Sequence, residues 1–134
     1  MSVITIKGKE VPYDENEVIT FAEGLIGMPE MRRAVLVPIE EFKPFCWLAS
    51  VESEKARFIV IDPHEIFAGY EPFQAEQAAG AHMQTFAIVK VSSDWQKTTV
   101  NLRAPLVINT ETQIGAQLIL SESKYQFAES LVQN

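Results

Sequence analysis

The chain has 134 residues, of which 47% are hydrophobic and 22% are charged, a composition that excludes intrinsic disorder and predicts one domain with a single core. Its 18 Asp and Glu against 11 Lys and Arg give a net charge of −7, which disfavours direct contact with nucleic acid and suits a basic protein partner. No apolar run approaches the ~20 residues that cross a bilayer, and residues 1–20 lack the pattern of a signal peptide. We therefore expect a cytoplasmic protein with no membrane contact.

The first half of the chain alternates between short apolar segments and polar turns. Residues 3–6 predict a strand, and Lys7-Gly8-Lys9 predicts a tight turn that reverses it. Gly24 and Gly27 lie in a loop at 22–29, where they permit backbone angles that other residues avoid. Further strands are predicted at 10–11, 17–21, 34–39, 45–51 and 56–61, with one helical turn at 30–33.

The second half begins with an irregular connection at 63–72 and carries the densest β pattern at 98–120. Pro105 interrupts that pattern, and because proline cannot donate to a strand ladder, it must lie at a bulge, a bend or an edge. A polar turn at 109–112, followed by Gly115, separates two apolar segments. The remaining predictions are a short helix at 74–81, a strand at 83–91, and apolar runs at 106–108 and 118–120.

About eight short strands at intervals near ten residues, with little helix, predict an all-β, mainly antiparallel fold. The expected form is a small β-barrel or sandwich with one or two short helices. A strand that bends at Pro105 and reverses at the next turn lets such a sheet curl over its own core. We expect one β domain over residues 1–125 and a C-terminal tail over residues 126–134.

The residue types that catalyse reactions or bind metals are few and scattered. His64 and His82 lie far apart, without Cys or His at zinc-ligand spacing, and the segment 24–27 lacks the helix start of a phosphate loop. The lone Cys46 lies in an apolar segment, where a thiol is usually a core side chain. Residues 62–65 contain acid and base groups, but Asp-Pro more often begins a turn. We expect neither enzymatic activity nor a bound cofactor or metal.

Aromatic residues concentrate in the middle third of the chain, and most of them are expected in the core: Phe42, Phe45, Trp47, Phe58, Phe67, Tyr70 and Phe73. The exception is the stretch 67–73, because it is predicted to lie in a loop. Aromatic side chains on a loop, next to the acidic Glu71, favour a protein-binding surface.

An ordered set of short motifs resembles the family of flagellar assembly factors called FliW. The likeness runs from about residue 3 to about residue 125. The motifs are ITF at 19–21, EGL at 23–25, PF at 44–45, WL at 47–48, SV at 50–51, FIVIDP at 58–63, YE at 70–71, NL at 101–102, AP at 104–105 and VINT at 107–110, with Gly27, Gly115 and Gln117. The chain departs from the family pattern at Met28, Ala49 and Arg103, and at Gln113, Ile114 and Ala116, where basic residues are common around Gly115.

The resemblance implies a non-catalytic binding protein that binds flagellin and the RNA-binding translational regulator CsrA. Export of flagellin would free the protein to capture CsrA and relieve repression of the flagellin message. The expected contact positions combine motif residues with loop aromatics: Phe67, Tyr70, Glu71, Phe73, Leu25, Asn101 and Asn109. Asn101 and Asn109 have a second interpretation, in which they satisfy buried backbone groups at the Pro105 bend. We expect a monomer.

A second hypothesis is a small-ligand-binding or catalytic β-barrel of unknown substrate. It would use the barrel interior or the loop at 62–65, and it is motivated only by the barrel-like strand pattern. A barrel filled with side chains, and no pocket beside His64, would argue against it. Binding of flagellin or CsrA would favour the first hypothesis.

Overall fold

The structure, a computed structural model, describes residues 2–72, 82–121 and 124–132. Within these ranges the chain forms eleven strands: β1 (Ser2–Ile6), β2 (Lys9–Tyr13), β3 (Ile19–Phe21), β4 (Arg33–Pro38), β5 (Cys46–Ser50), β6 (Arg57–Ile61), β7 (Met83–Lys90), β8 (Thr99–Val100), β9 (Leu106–Asn109), β10 (Ile114–Gln117) and β11 (Glu129–Ser130). Short 3₁₀ turns lie at Glu15–Glu17, Glu40–Phe42, Pro63–Glu65 and Trp95–Lys97. None of the described segments holds a helix long and apolar enough to cross a membrane. The helix predicted at 74–81 lies outside the described residues.

Seven of the described strands close into a barrel in the order β7-β6-β5-β4-β3-β10-β9, and β9 pairs again with β7. These neighbours are antiparallel except β3 and β10, which run parallel with Gly115 opposite Phe21. β8 and β11 extend the sheet beyond β7. The prediction of a mainly antiparallel all-β fold is confirmed, and its form is the barrel rather than the sandwich.

Strands β4, β5 and β6 are buried on both faces. Ala34 and Val60 belong to the cluster that fills the interior, whereas their chain neighbours Val35 and Ile61 belong to two clusters on the outside. The hairpin β1–β2 covers the outside of β4 and β5. The loop after β6, together with the C-terminal segment, covers the outside of β6, β7 and β8. The interior is occupied by fully buried side chains such as Leu48, Val60 and Leu106, which does not favour a ligand inside the barrel.

The hairpin β1–β2 forms as the sequence predicts. Lys7 and Gly8 both have positive φ, at 50° and 81°, which is the geometry of a two-residue type I′ turn between the paired Ile6 and Lys9. Ile4 and Ile6 are buried against β4 and β5. The local turn chemistry therefore sets the strand register that brings these two side chains to one face.

Pro105 lies at a bend between β8 and β9, as predicted. β8 pairs with the second half of β7 and β9 pairs with the first half, so the chain leaves the edge of β7 and rejoins it. Oδ1 of Asn101 accepts hydrogen bonds from the backbone N–H groups of Arg103 and Ala104, at 3.2 and 2.9 Å. The backbone oxygen of Pro105 accepts one from the N–H of Leu118 at 3.0 Å. The role expected of Asn101 at this bend is confirmed.

Two boundaries differ from expectation. The helical turn predicted at 30–33 is wrong, because no helical turn forms there and Arg33 already begins β4. The fully buried Met31 instead leads the chain directly into the barrel. The chain also packs onto the domain beyond residue 125, where the tail was expected to begin. β11 pairs with β8, and Leu131 is buried beside it.

The close approach of β3 and β10 is testable at Gly115. A Cβ there would lie 2.6 Å from Cε1 of Phe21 and 3.2 Å from Cγ2 of Ile19. We expect Gly115→Ala to lower the free energy of unfolding by about 1–3 kcal/mol, because the added methyl overpacks the interior. In the matched control Gly69→Ala the Cβ meets nothing within 4 Å, so the change should stay within about 0.5 kcal/mol. Urea unfolding compares the two variants, and equal stabilities would contradict the packing described.

A candidate partner-binding groove

A groove of about 490 Å³ runs between the loop after β6 and the C-terminal segment. A second depression of about 560 Å³ adjoins it and shares Lys124 and Tyr125 with it. The walls of the first groove combine aromatic, aliphatic and charged side chains: Ile66, Phe67, Tyr70, Leu102, Lys124, Tyr125 and Glu129. We call this region the Tyr125 groove.

One imidazole ring joins the two ends of the loop that forms the groove. Oδ1 of Asp62 accepts the backbone N–H of His64 at 3.0 Å, and the ring Nδ1 of His64 lies 3.0 Å from the same oxygen. The other ring nitrogen, Nε2, lies 3.0 Å from the backbone oxygen of Tyr70. The acid and base groups noted at 62–65 therefore do meet. Both ring nitrogens are therefore engaged in holding the loop.

Tyr70 anchors this loop in the core. Its side chain is 2% exposed, and its hydroxyl donates to the backbone oxygen of Leu102 at 2.6 Å. Its ring packs edge-on against Tyr125, with 4.6 Å between the ring centres. Burial raises the pKa of Tyr70, and the neighbouring Tyr125 raises it further. The expectation that Tyr70 is an exposed loop aromatic is wrong, because a tyrosine whose hydroxyl reaches a backbone acceptor can be buried whole.

Phe67 and Glu71 both lie at the groove. Phe67 is half-buried and lines it, and Glu71 is exposed beside it. The backbone N–H of Glu71 donates to the hydroxyl of Tyr125 at 2.8 Å, and Nζ of Lys124 lies 5.5 Å from the centre of the Tyr125 ring. The structure thus brings Phe67 and Glu71 together around Tyr125, while Phe73 lies outside the described residues.

The other three residues expected at a partner contact have structural roles. Leu25 is buried in the interior cluster, so its side chain has almost no surface for a partner. Asn101 supports the bend described above. Oδ1 of Asn109 accepts two backbone N–H groups of the turn after β9, at 2.9 and 3.0 Å, rather than any group at Pro105. The two asparagine side chains therefore hold their own turns.

The residues that complete the groove were not among the contact positions expected from the sequence. Leu102 and Tyr125 come from the Pro105 bend and from the segment just before the expected tail. Tyr125 could have predicted that this segment packs onto the domain, because an aromatic side chain in an otherwise polar segment favours such packing. The Tyr125 ring contacts Tyr70 and lies near Lys124, which helps to hold the C-terminal segment on the domain.

The titratable groups elsewhere fit a structural role. The residues that the structure describes contain no group of three or more His, Cys, Asp and Glu side chains placed to hold a metal ion. Cys46 is half-buried against the interior cluster, and burial raises the pKa of its thiol. A raised pKa keeps the thiol protonated and unreactive. Cys46 therefore packs against the core but is not fully buried in it, as the prediction of a core side chain would require.

A closed seven-stranded barrel, covered outside by a hairpin and by a loop that bears a groove, defines a class of small single-domain β-barrel proteins. Within that class, the family described as FliW protein matches residues 3–131. The chain belongs to this family. The resemblance inferred from the ordered motifs is confirmed.

Individual relatives agree over nearly the whole length. The chain is 32% identical over 130 residues to the flagellar assembly factor FliW of Clostridium beijerinckii, with 92% of each chain covered. It is 33% identical over 132 residues to that of Geobacter sulfurreducens, with 93% of this chain and 82% of the relative covered. A crystal structure of the flagellar assembly factor FliW superposes with a TM-score of 0.86 at 27% identity, over 99% of each chain.

The burial of Tyr70 predicts a loss of stability at high pH. Because its pKa is raised in the fold, the unfolded chain releases the phenolic proton at lower pH than the folded chain does. The folded state then binds more protons, so its stability falls as pH rises above about 10, the ordinary value for tyrosine. Urea unfolding between about pH 8 and about pH 11 measures this fall. Tyr70→Phe should show a smaller fall than the wild type, and parallel curves would contradict the assignment.

Proposed function

We propose that this chain is a cytoplasmic flagellar assembly factor that binds flagellin and a CsrA-type RNA-binding regulator, without catalysing a reaction. By capturing the regulator once flagellin has been exported, it antagonises repression and couples export of flagellin to its translation. The observation that carries the proposal is the family match over residues 3–131, with relatives named as flagellar assembly factors over the same span. The two partners come from the family resemblance.

The charge of the molecule supports a basic partner. The net charge is −7, and a protein that binds RNA needs Lys and Arg on its surface to neutralise phosphates. An acidic body docked on such a partner attracts its basic side chains and repels approaching RNA. Antagonism of an RNA-binding regulator therefore needs no chemistry beyond occupation of its surface.

The Tyr125 groove supports a direct contact with one partner. The rings of Phe67 and Tyr125 provide apolar surface, Glu129 lines the same groove, and Glu71 lines the adjoining depression. Aromatic side chains are typical of the residues that dominate binding energy at interfaces, and nearby carboxylates favour a basic partner. The groove suits a partner surface that combines apolar and basic side chains.

Two partners that act through one protein must be linked. If binding of one changes the affinity for the other by some factor, the reverse change has the same size. Competition for one surface is the limiting case, and coupling between separate surfaces is the alternative. Either one lets the concentration of free flagellin control how much of this protein is available to the regulator.

Calorimetric titration with the host's own flagellin and CsrA-type protein tests the proposal. We expect both to bind, and we expect addition of flagellin to reduce the affinity for the regulator. The control is the same titration with an unrelated basic protein of similar charge, which separates recognition from simple charge attraction. Failure of both partners to bind at micromolar concentration would count decisively against the proposed function.

Phe67→Ala tests the groove itself. We expect about 30-fold weaker binding of one partner, which corresponds to about 2 kcal/mol, because truncation removes an aromatic anchor from the interface. Phe42→Ala is the matched control, since Phe42 is 66% exposed on the 3₁₀ turn between β4 and β5 and does not line the groove. Thermal unfolding of both variants accompanies the titrations. Unchanged affinity together with lost stability would assign Phe67 to the core.

A further inference from the structure

The ring of Trp47 carries two cationic side chains. Trp47 lies on the outer side of β5, in the cluster that the hairpin β1–β2 covers. Nζ of Lys7, in the turn of that hairpin, lies 5.7 Å from the centre of the ring, and Cζ of Arg57, on β6, lies 5.4 Å from it. The electron-rich face of an indole ring attracts a cation within about 6 Å of its centre. Lys7 and Arg57 are therefore both held at one half-buried aromatic side chain.

No carboxylate neutralises these cations. In the part of the chain that the structure describes, Lys7, Arg57 and the neighbouring Lys9 form no ion pair with a carboxylate. Lys9 lines the same groove as Lys7 and Trp47. A chain of net charge −7 thus gathers three of its 11 basic side chains at one place, which we call the Trp47 site. A local positive field on an acidic molecule attracts acidic groups to that place.

A groove of about 460 Å³ opens beside this ring, between the hairpin and the end of β4. Apolar side chains from both segments line it: Ile6, Val11, Val37 and Ile39. The hairpin adds the cations of Lys7 and Lys9. The 3₁₀ turn after β4 adds the carboxylates of Glu40 and Glu41, of which Glu40 forms an ion pair with Lys43 at 3.3 Å. The groove therefore offers apolar surface together with cations from one segment and carboxylates from another.

Local structure fixes the Trp47 site before any partner arrives. The strand register pairs Trp47 with Val37 on one side and with Ile59 on the other. Lys7 occupies the first position of the type I′ turn, with a φ of 50°. Nη1 of Arg57 donates a hydrogen bond to the backbone oxygen of Glu54 at 3.1 Å, which directs the guanidinium group. Because these groups are already placed, binding costs less conformational entropy.

Charge and shape favour a protein segment over a nucleic acid. A single-stranded nucleic acid would use the ring for stacking and the cations for its phosphates. Its continuous negative charge would also meet Glu40 and Glu41 in the same groove, and the net charge of −7 repels it. A protein segment carries only a few carboxylates, and an apolar side chain between them can enter the groove. Charge complementarity therefore selects an acidic protein segment that also carries an apolar side chain.

We propose that the Trp47 site binds an acidic segment of a partner protein. The carboxylates of that segment contact Lys7 and Arg57, and its apolar side chain lies in the groove between the hairpin and β4. The inference goes beyond the proposed function, because the regulator named there is basic and the Tyr125 groove suits a basic surface. The molecule thereby has two surfaces with opposite charge preferences, and the two accept different partners.

The fluorescence of Trp47 provides the readout. The chain contains two tryptophans, so Trp95→Phe leaves Trp47 as the only source of indole emission. The probe is a short unstructured peptide of Glu, Gly and Leu. Its counterpart with Gln in place of Glu tests the need for charge, and a short oligothymidylate tests the preference over phosphates. We expect the Glu peptide to change the emission saturably and the Gln peptide to leave it unchanged.

Two double variants in this background separate the site from the net charge. Lys7→Asn with Arg57→Gln removes both cations from the ring, and asparagine suits the positive φ of the turn. Lys90→Gln with Lys97→Gln removes the same charge from exposed positions on β7 and on the 3₁₀ turn before β8. We expect the first pair to weaken binding of the Glu peptide at least about tenfold and the second to stay within about twofold. Thermal unfolding checks both pairs, and Lys9→Gln replaces the first if that pair does not fold.

Each outcome decides the proposal. Loss of binding in the first pair with retention in the second supports it. No response to the Glu peptide at millimolar concentration, an equal response to the Gln peptide, or equal affinity of the first pair and the parent overturns it. Tighter binding of the oligothymidylate also overturns it, by assigning the site to phosphates. Sedimentation of the free chain is a separate check, because a self-association that the first pair abolishes would assign the site to a second copy. Titrations with flagellin and the regulator test the proposed function independently of these results.

Discussion

Closure of the barrel depends on the bend between β8 and β9. Both strands pair with the same edge of β7, so the chain between them must turn away from that edge and return to it. Asn101 accepts two backbone N–H groups that the bend removes from the strand ladder, and Pro105 has no N–H that needs a partner. Without this bend β9 could not rejoin β7, and β10 would lose its place between β9 and β3.

The covers on the outside of the barrel turn part of its outer surface into core. Where the hairpin or the loop after β6 covers a strand, the outer side chains are core. The Tyr125 groove arises within one of these covers. Tyr70 belongs to both the core and the groove, since its ring is buried while it helps to form the groove wall. Stability and groove shape are therefore coupled through the same side chain.

Local chemistry made part of this structure predictable. The turn at Lys7-Gly8-Lys9 and the interruption at Pro105 follow from the restricted backbones of glycine and proline. The burial of Tyr70 was not predictable, because its hydroxyl bonds to Leu102, a residue 32 positions further along the chain. Asn109 satisfies backbone groups, as expected, but at the turn after β9 rather than at the Pro105 bend. An asparagine bonds the N–H groups two or three residues ahead of it, so Asn109 supports the polar turn at 109–112 that the sequence itself predicts.

The parallel pairing of β3 with β10 has a consequence for synthesis. β3 lies near the start of the chain, and its partner β10 lies near the end, after most of the other strands. Until β10 has left the ribosome, one edge of β3 is open and Phe21 is without the glycine backbone that covers it. Pairing over such separations folds slowly and leaves strand edges exposed to other chains. The nascent polypeptide therefore exposes a strand edge that the folded protein covers, and such an edge can pair with other unfinished copies.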